Sequence, residues 1–351
     1  MKIAPLIRAI EKANEAGEQF RYRLIHTGQH FDAAMSATFF EELAIPKPSV
    51  NLGVGSGSHA TQTAKIMMGF ERELQQNPAD LVMVVGDVNS TLACAIVAKK
   101  MQVKLAHIEA GVRSGDMLMP EEINRRVTDS ITDYYFTTSE MAGEQLQREG
   151  ADPGQIFFVG NIMIDSLMHL RKRFSPPNFW HELELQNGKY LVMTLHRPGN
   201  VDNPEKLGAL LQTIARTAGE HPVVFPAHPR TAKNLLLIDV PANIQMVPPQ
   251  SYLEFNYLVE HSAGVITDSG GITTETTILD VPCLSLRNTT EWPETISMGS
   301  NELVGDDAEK ITDGIRRMTS RNWKKARIPE KWDGKTAERI VETLGKLKVK
   351  N

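Results

Sequence analysis

The chain has 351 residues, 41% hydrophobic and 23% charged, with a formal net charge of −5, which suits two α/β domains with packed cores and excludes wholesale disorder. No long basic run appears and no stretch approaches the roughly 20 apolar residues of a membrane span, so neither a nucleic-acid partner nor a membrane is implied. Two distant cysteines, Cys94 and Cys283, fit neither a disulfide framework nor a metal cluster and point to a reducing, cytoplasmic compartment.

Residues 1–18 read as an amphipathic helix interrupted early by Pro5, without the apolar segment of a secretory signal. Short apolar runs then alternate with helical stretches. The expected strands of the first half are 22–26, 81–85, 105–108, 134–137 and 156–159. Those of the second half are 190–194, 223–226, 244–247, 264–267 and 283–286. Helical spacing fills the intervals, as at 61–76, 121–132 and 204–218. Most strands are apolar throughout rather than alternating, as in parallel sheets covered on both faces. The βα alternation predicts an α/β fold of two doubly wound sheets. The polar, proline-bearing segment 171–187 is the expected connection, which gives domains of 1–170 and 171–351. Ligands of such sheets sit beyond the carboxyl ends of the strands, here in a cleft between the domains.

The unusual residues fall on strand-end loops. Gly86 lets the chain turn after 81–85 and presents Asp87, either as a site residue or as a cap of the next helix. In His107-Ile108-Glu109-Ala110-Gly111, Glu109 ends a buried strand, where a carboxylate is costly unless paired or functional. Pro120-Glu121-Glu122-Ile123-Asn124-Arg125 opens a helix, and proline suits its first turn. Glu121 and Arg125 are four apart and share a face, as a surface ion pair or as a site pair, whereas Glu122 reads as structural. His196 and His228 each follow a strand of the second half. The strongest local signal is Thr267-Asp268-Ser269-Gly270-Gly271-Ile272-Thr273-Thr274-Glu275, a strand, a Ser-Gly-Gly turn and a helix. Free N–H groups at such a helix start suit a phosphate, and Glu275, about one turn in, suits ribose hydroxyls. Neither a GxxxxGK[ST] nor a GxGxxG sequence occurs, although 53–57 is glycine-rich, and no His/Cys/Asp cluster has metal-binding spacing.

Read together, Gly28-Gln29-His30, Gly86-Asp87, His107 to Gly111, Pro120 to Arg125, His196-Arg197, Asp268-Ser269-Gly270-Gly271 and Leu286-Arg287-Asn288-Thr289-Thr290-Glu291-Trp292-Pro293-Glu294 run in order along nearly the whole chain. In that order they resemble the non-hydrolysing UDP-N-acetylglucosamine 2-epimerase family. The resemblance implies two Rossmann-like domains of the glycosyltransferase-B architecture, with UDP bound by the second and the C-terminal helix 336–346 returning to the first. It implies a homodimer acting on a UDP-sugar, with no nicotinamide, redox or metal cofactor. The family eliminates UDP to give a glycal, with oxocarbenium-like character at carbon 1, and adds UDP back with carbon 2 inverted. Such chemistry needs carboxylates to move protons and cations to hold diphosphate.

By this resemblance Asp87, Glu109 and Glu121 are the acid/base and cation-stabilising carboxylates, and the sequence leaves open which one removes the carbon 2 proton. Arg125 orients Glu121, His196 assists the departing diphosphate and Lys2 matches a family lysine on the substrate side. Gln250 and Phe255 fall at the uracil pocket, Ser269, Gly270 and Gly271 hold phosphate, Glu275 holds the ribose, and Arg287 lines the pocket near the nucleotide. The family carries a β-strand and a Gly-Thr-Arg-Pro-Glu loop ahead of the segment matched by Met1-Lys2-Ile3-Ala4-Pro5-Leu6, so such a segment is expected upstream of Met1. A glutamine of the substrate-activated members is replaced by Asp32, which predicts little activation by substrate. The same resemblance leaves three alternatives: a hydrolysing 2-epimerase releasing N-acetylmannosamine, an enzyme for a diacetamido or uronic UDP-sugar, and an inactive nucleotide-sugar-binding relative.

Overall fold

The apolar runs of the sequence are parallel strands, and the computed structural model, which describes residues 1–29, 40–227 and 229–347, divides them between two compact units. The first unit is Met1–His169 with Glu330–Asn351, and the second is Leu170–Pro329. In chain order the strands are β1 (Ile25–His26), β2 (Val50–Asn51), β3 (Leu81–Val85), β4 (Lys104–Ala110), β5 (Tyr134–Thr137), β6 (Ile156–Phe158), β7 (Leu191–Thr194), β8 (Val223–Pro226), β9 (Ile244–Val247), β10 (Gly264–Thr267), β11 (Cys283–Ser285) and β12 (Asn301–Leu303). The longer helices are α1 (Ile3–Glu15), α2 (His59–Gln76), α3 (Asn89–Lys100), α4 (Pro120–Ser130), α5 (Glu140–Arg148), α6 (Ile162–Leu170), α7 (Pro204–Ala218), α8 (Tyr252–Glu260), α9 (Gly270–Leu279), α10 (Ala308–Thr319) and α11 (Thr336–Lys346).

In the first unit β3-β4-β5-β6 form a parallel sheet in that order, and β1 pairs with β2 in a separate parallel ladder. Val82 and Val84 of β3 pack with Ile66, Phe70 and Leu74 of α2 and with Ala93 and Val97 of α3. Ala106, Ile108 and Phe136 join a second cluster with Leu6, Ala9 and Ile10 of α1 and Ile340, Val341 and Leu344 of α11. Each fully buried Leu or Ile contributes roughly 1.5–3 kcal/mol, so the α1–α11 pair is a main support of this sheet. Pro5 does not interrupt α1, contrary to expectation. The helix starts at Ile3, so Pro5 lies in the first turn, where a backbone N–H has no intrahelical acceptor to lose. No side chain at Lys335 caps α11; Asp165 of α6 does so instead, accepting N–H bonds from Thr336 (3.1 Å) and Ala337 (2.7 Å).

The second unit holds a six-stranded parallel sheet in the order β9-β8-β7-β10-β11-β12. Counted from its own first strand this is the order 3-2-1-4-5-6, with the switch point between β7 and β10. Leu207, Leu211 and Ile214 of α7 and Ile311, Ile315 and Met318 of α10 fill the core beside Leu191, Met193 and Ile266. The segment 171–187 belongs to this unit, and its Trp180 is buried edge-on against Tyr190 and Tyr257, ring centroids 5.6 and 5.2 Å away. Among the described residues no helix is long and apolar enough to cross a membrane.

Candidate functional site

Parallel strands bring their carboxyl-terminal loops to one edge of a sheet. At that edge of the first unit stand Asp87, after β3, and Glu109, within β4. Gly86 has φ +71°, and a Cβ there would lie 2.9 Å from Lys2 Nζ, so the turn that delivers Asp87 needs glycine. Asp87 does not cap the following helix. Its Oδ2 accepts Arg125 Nε at 3.0 Å and NH2 at 2.6 Å, and Asn124 Nδ2 donates to its backbone carbonyl at 2.8 Å.

Glu109 sits at a register shift between Ile108 and Ala110, with φ +71°. A bulge of this kind turns one side chain away from the regular alternation. A non-glycine residue there is held at a cost of about 1–3 kcal/mol, a cost typical of functional positions. Its Oε2 meets Lys2 Nζ at 2.5 Å, while Oε1 is buried with no hydrogen-bond partner. Burial alone would lower the Lys2 pKa, but Glu109 and then Asp87 raise it above the usual lysine value, so Lys2 is a cation. Glu109 therefore presents an unsatisfied acceptor beside a paired charge.

The expected pairing of Arg125 with Glu121 is corrected by the structure. Arg125 NH1 donates to Glu122 Oε2 at 2.8 Å, and its Nε and NH2 donate to Asp87 Oδ2. Glu122 is fully buried and so demands partners more strongly than half-buried Glu121. It also accepts Ser114 N and Oγ, and these donors with Arg125 hold its pKa below the usual range against the upward push of burial. The Glu121 side chain, half-buried in the first turn of α4, is not among the partners of Arg125's bonds to Asp87 and Glu122. Beneath this edge, buried His107 bridges Asp129 Oδ1 (Nδ1, 2.7 Å) and the Gly86 carbonyl (Nε2, 2.8 Å). Asp129 also accepts Gly111 N and Arg113 NH1.

In the second unit the loops after β7 and β10 flank the switch point. His196 follows β7, and Asp268 follows β10 and precedes the start of α9. The Ser269 side chain does not cap α9, which leaves the N–H groups of its first turn available. Gly270 lies directly under the Arg287–Glu291 ion pair (2.5 Å): a Cβ on it would come 2.2 Å from Glu291 Oε1 and 2.9 Å from Arg287 NH1. Arg287 is 6% exposed and its Nε has no acceptor, so a buried donor and a helix start share one place. Both are features that attract an anion.

Glu275 is buried on α9, and Tyr252 Oη donates to its Oε1 at 2.8 Å. Burial pushes its pKa up to about 7, with the Tyr252 bond pulling the other way. Gln250 and Phe255 are half-buried on either side of Ser251, which starts α8 with a reciprocal capping box to Glu254. Gln250 Nε2 donates to the Pro248 carbonyl at 2.6 Å.

The sequence picked out the acids but not the side chains that hold them. Glu122 against Arg125, Lys2 against Glu109, Tyr252 against Glu275 and Asp268 against His196 emerge only with the fold. Gln29 of the resemblance motif accepts Ser90 N at 3.0 Å and Oγ at 2.7 Å at the start of α3. His30, Asp32 and His228 lie outside the described residues. Among those described, no group of three or more His, Cys, Asp or Glu side chains is placed to hold a metal ion.

The family model for UDP-N-acetylglucosamine 2-epimerase matches residues 12–345. Over 358 residues, covering 98% of this chain and 95% of the relative, the chain is 41% identical to a UDP-N-acetylglucosamine 2-epimerase of Methanocaldococcus jannaschii. It is 38% identical, over 92% of this chain and 91% of the relative, to a UDP-2,3-diacetamido-2,3-dideoxy-D-glucuronate 2-epimerase of Pseudomonas aeruginosa. The fold is similar to the crystal structure of the Methanocaldococcus jannaschii UDP-GlcNAc 2-epimerase in complex with UDP-GlcNAc and UDP, with a TM-score of 0.87 and 39% identity over 99% of this chain and 96% of that one. The two Rossmann-like sheets are those of the glycosyltransferase-B class. The chain belongs to the UDP-N-acetylglucosamine 2-epimerase family.

Proposed function

We propose that this chain is a cytoplasmic, non-hydrolysing epimerase that interconverts UDP-N-acetylglucosamine and UDP-N-acetylmannosamine, supplying cell-surface polysaccharide synthesis and working as a homodimer. The observation that carries the reading is Glu109: a buried carboxylate, re-aimed by a bulge, neutralised by Lys2 on one oxygen and unsatisfied on the other. Asp87, Glu109 and Glu121 are its acid/base and cation-stabilising carboxylates. Arg125 fixes Asp87 and Glu122. Ser269, Gly270, Gly271 and Arg287 take the diphosphate with His196, Glu275 takes the ribose, and Gln250 and Phe255 take the uracil.

The carbon 2 proton is only weakly acidic, and departure of UDP gives an oxocarbenium-like carbon 1 that makes its loss feasible. A carboxylate accepts the proton, the glycal forms, and re-protonation on the other face with return of UDP inverts carbon 2. The test is the reaction in deuterated water followed by NMR: both sugars at equilibrium, each deuterated at carbon 2, with no free N-acetylmannosamine. Free sugar and UDP as products would establish the hydrolysing alternative, and unlabelled product would exclude elimination.

A second reading rests on the likeness to the diacetamido-uronate epimerase. Turnover of that substrate in preference to UDP-N-acetylglucosamine, in direct competition, would favour it.

A further inference from the structure

Asp268 is fully buried at the carboxyl end of β10, facing the loop that leaves β7. Its carboxylate accepts the backbone N–H groups of His196 (3.1 Å) and Arg197 (3.0 Å) and the Nδ2 group of Asn200 (3.0 Å). The fourth neighbour is the His196 ring, whose Nδ1 lies 2.7 Å from Oδ1. Burial pushes the Asp268 pKa up, but His196, Arg197 and Asn200 together bring it below the usual carboxylate range, so the group is ionised. An ionised carboxylate only accepts hydrogen bonds, and so Nδ1 is the ring nitrogen that carries a hydrogen. The other face of the ring is open: the side chain is 48% exposed, and no described residue bonds to Nε2.

We propose that Asp268 is a positioning residue that fixes the tautomer and orientation of His196, so that Nε2 is the nitrogen offered to the nucleotide diphosphate. The inference rests on the functional reading above and adds to it the origin of the histidine's geometry. When the bond from carbon 1 to the phosphate oxygen breaks, its electron pair stays on that oxygen. The Nδ1–H tautomer leaves the Nε2 lone pair facing the ligand, where it takes a proton from solvent as the anionic diphosphate binds; Nε2–H then donates to the oxygen as its charge grows, and Asp268 balances the ring's charge from the opposite side. No net proton transfer is required, and the return of UDP reverses the same steps. Because the contact strengthens as the bond breaks, it acts on kcat more than on KM.

A different role for Asp268 is to cap the turn at 196–200 and nothing more, since Arg197 Nε also donates to its backbone carbonyl at 2.9 Å. The two roles separate in a double-mutant cycle with Asp268→Asn and His196→Gln. We expect Asp268→Asn to lower kcat by about 10²-fold with KM within about threefold, and the double variant to be no slower than His196→Gln alone. Losses that multiply in the double variant would overturn the proposal. If Asp268→Asn does not fold, the wild-type protein still decides: ¹⁵N-histidine NMR should show His196 with its hydrogen on Nδ1 when the ring is neutral. A hydrogen on Nε2 would overturn the proposal. That spectrum needs no substrate, so a wild type that fails to epimerise would defeat the functional reading and leave the His196 assignment to the spectrum.

Discussion

Arg125 closes Nε and NH2 on a single oxygen of Asp87, at 3.0 and 2.6 Å, and turns NH1 back to the buried Glu122. The arginine thus ties the loop after β3 to the first turn of α4. Glu122 is held within its own helix, but the Asp87 side chain is gripped from 38 residues away, so this tie sets where Asp87 points.

Removing Arg125 leaves Glu122 buried with a lost counter-charge. We expect Arg125→Ala to destabilise the protein by about 3–5 kcal/mol, read in urea unfolding, and to lower turnover. Arg125→Lys keeps the charge but loses the fork, so it should recover part of the stability while turnover stays at least about tenfold down.

Glu109→Gln keeps the size of the side chain but removes the charge that faces Lys2. Turnover should fall by about 10²-fold or more, as for loss of a positioned acid or base, and Asp87→Asn and Glu121→Gln should behave likewise. Near-normal turnover in all three would remove these acids from the chemistry.

Gly270→Ala puts a methyl group where Glu291 Oε1 and Arg287 NH1 now lie. UDP affinity by titration calorimetry should fall about tenfold. Gly199→Ala, whose Cβ meets nothing within 4 Å, should leave affinity within about twofold of wild type. Equal affinity in the two variants would separate the start of α9 from the nucleotide site.

Glu275 gives a pH signature. A value of about 7, against the usual 4.5, means the native protein holds this proton more tightly than the unfolded chain does. The resulting stability is fully present below the ordinary value and is lost as pH rises through about 7. Glu275→Gln should flatten that decline, a difference of about 3 kcal/mol across the window. Ribose hydroxyls donate to the ionised form, so uridine affinity should rise with pH through the same window in wild type and stay level in Glu275→Gln.

Much of the fold was legible because buried parallel strands are written as apolar runs: Leu81–Val85, Tyr134–Thr137, Val223–Pro226, Ile244–Val247 and Gly264–Thr267 coincide with expectation. The strands Val50–Asn51 and Asn301–Leu303 were not legible, being short and mixed in polarity. Motif order singled out candidate acids, since functional side chains gather on strand-end loops. Their partners were hidden: helical spacing linked Glu121 to Arg125, but Asp87, on the loop after β3, takes two nitrogens of the guanidinium. The bulge at Glu109 was equally hidden, because a left-handed backbone at a glutamate contradicts local preference and persists only through its surroundings.

The Asp165 cap on α11 also bears on the order in which the protein comes into being. The ribosome finishes the six-stranded unit at Pro329, before the helix from Thr336 to Lys346 exists. Leu6 and Ile10 therefore wait through the synthesis of the whole second unit for Ile340 and Leu344. The second unit thus interrupts the first, whose apolar flank stays open to chaperones, or to wrong partners, until the helix from Thr336 to Lys346 leaves the exit tunnel.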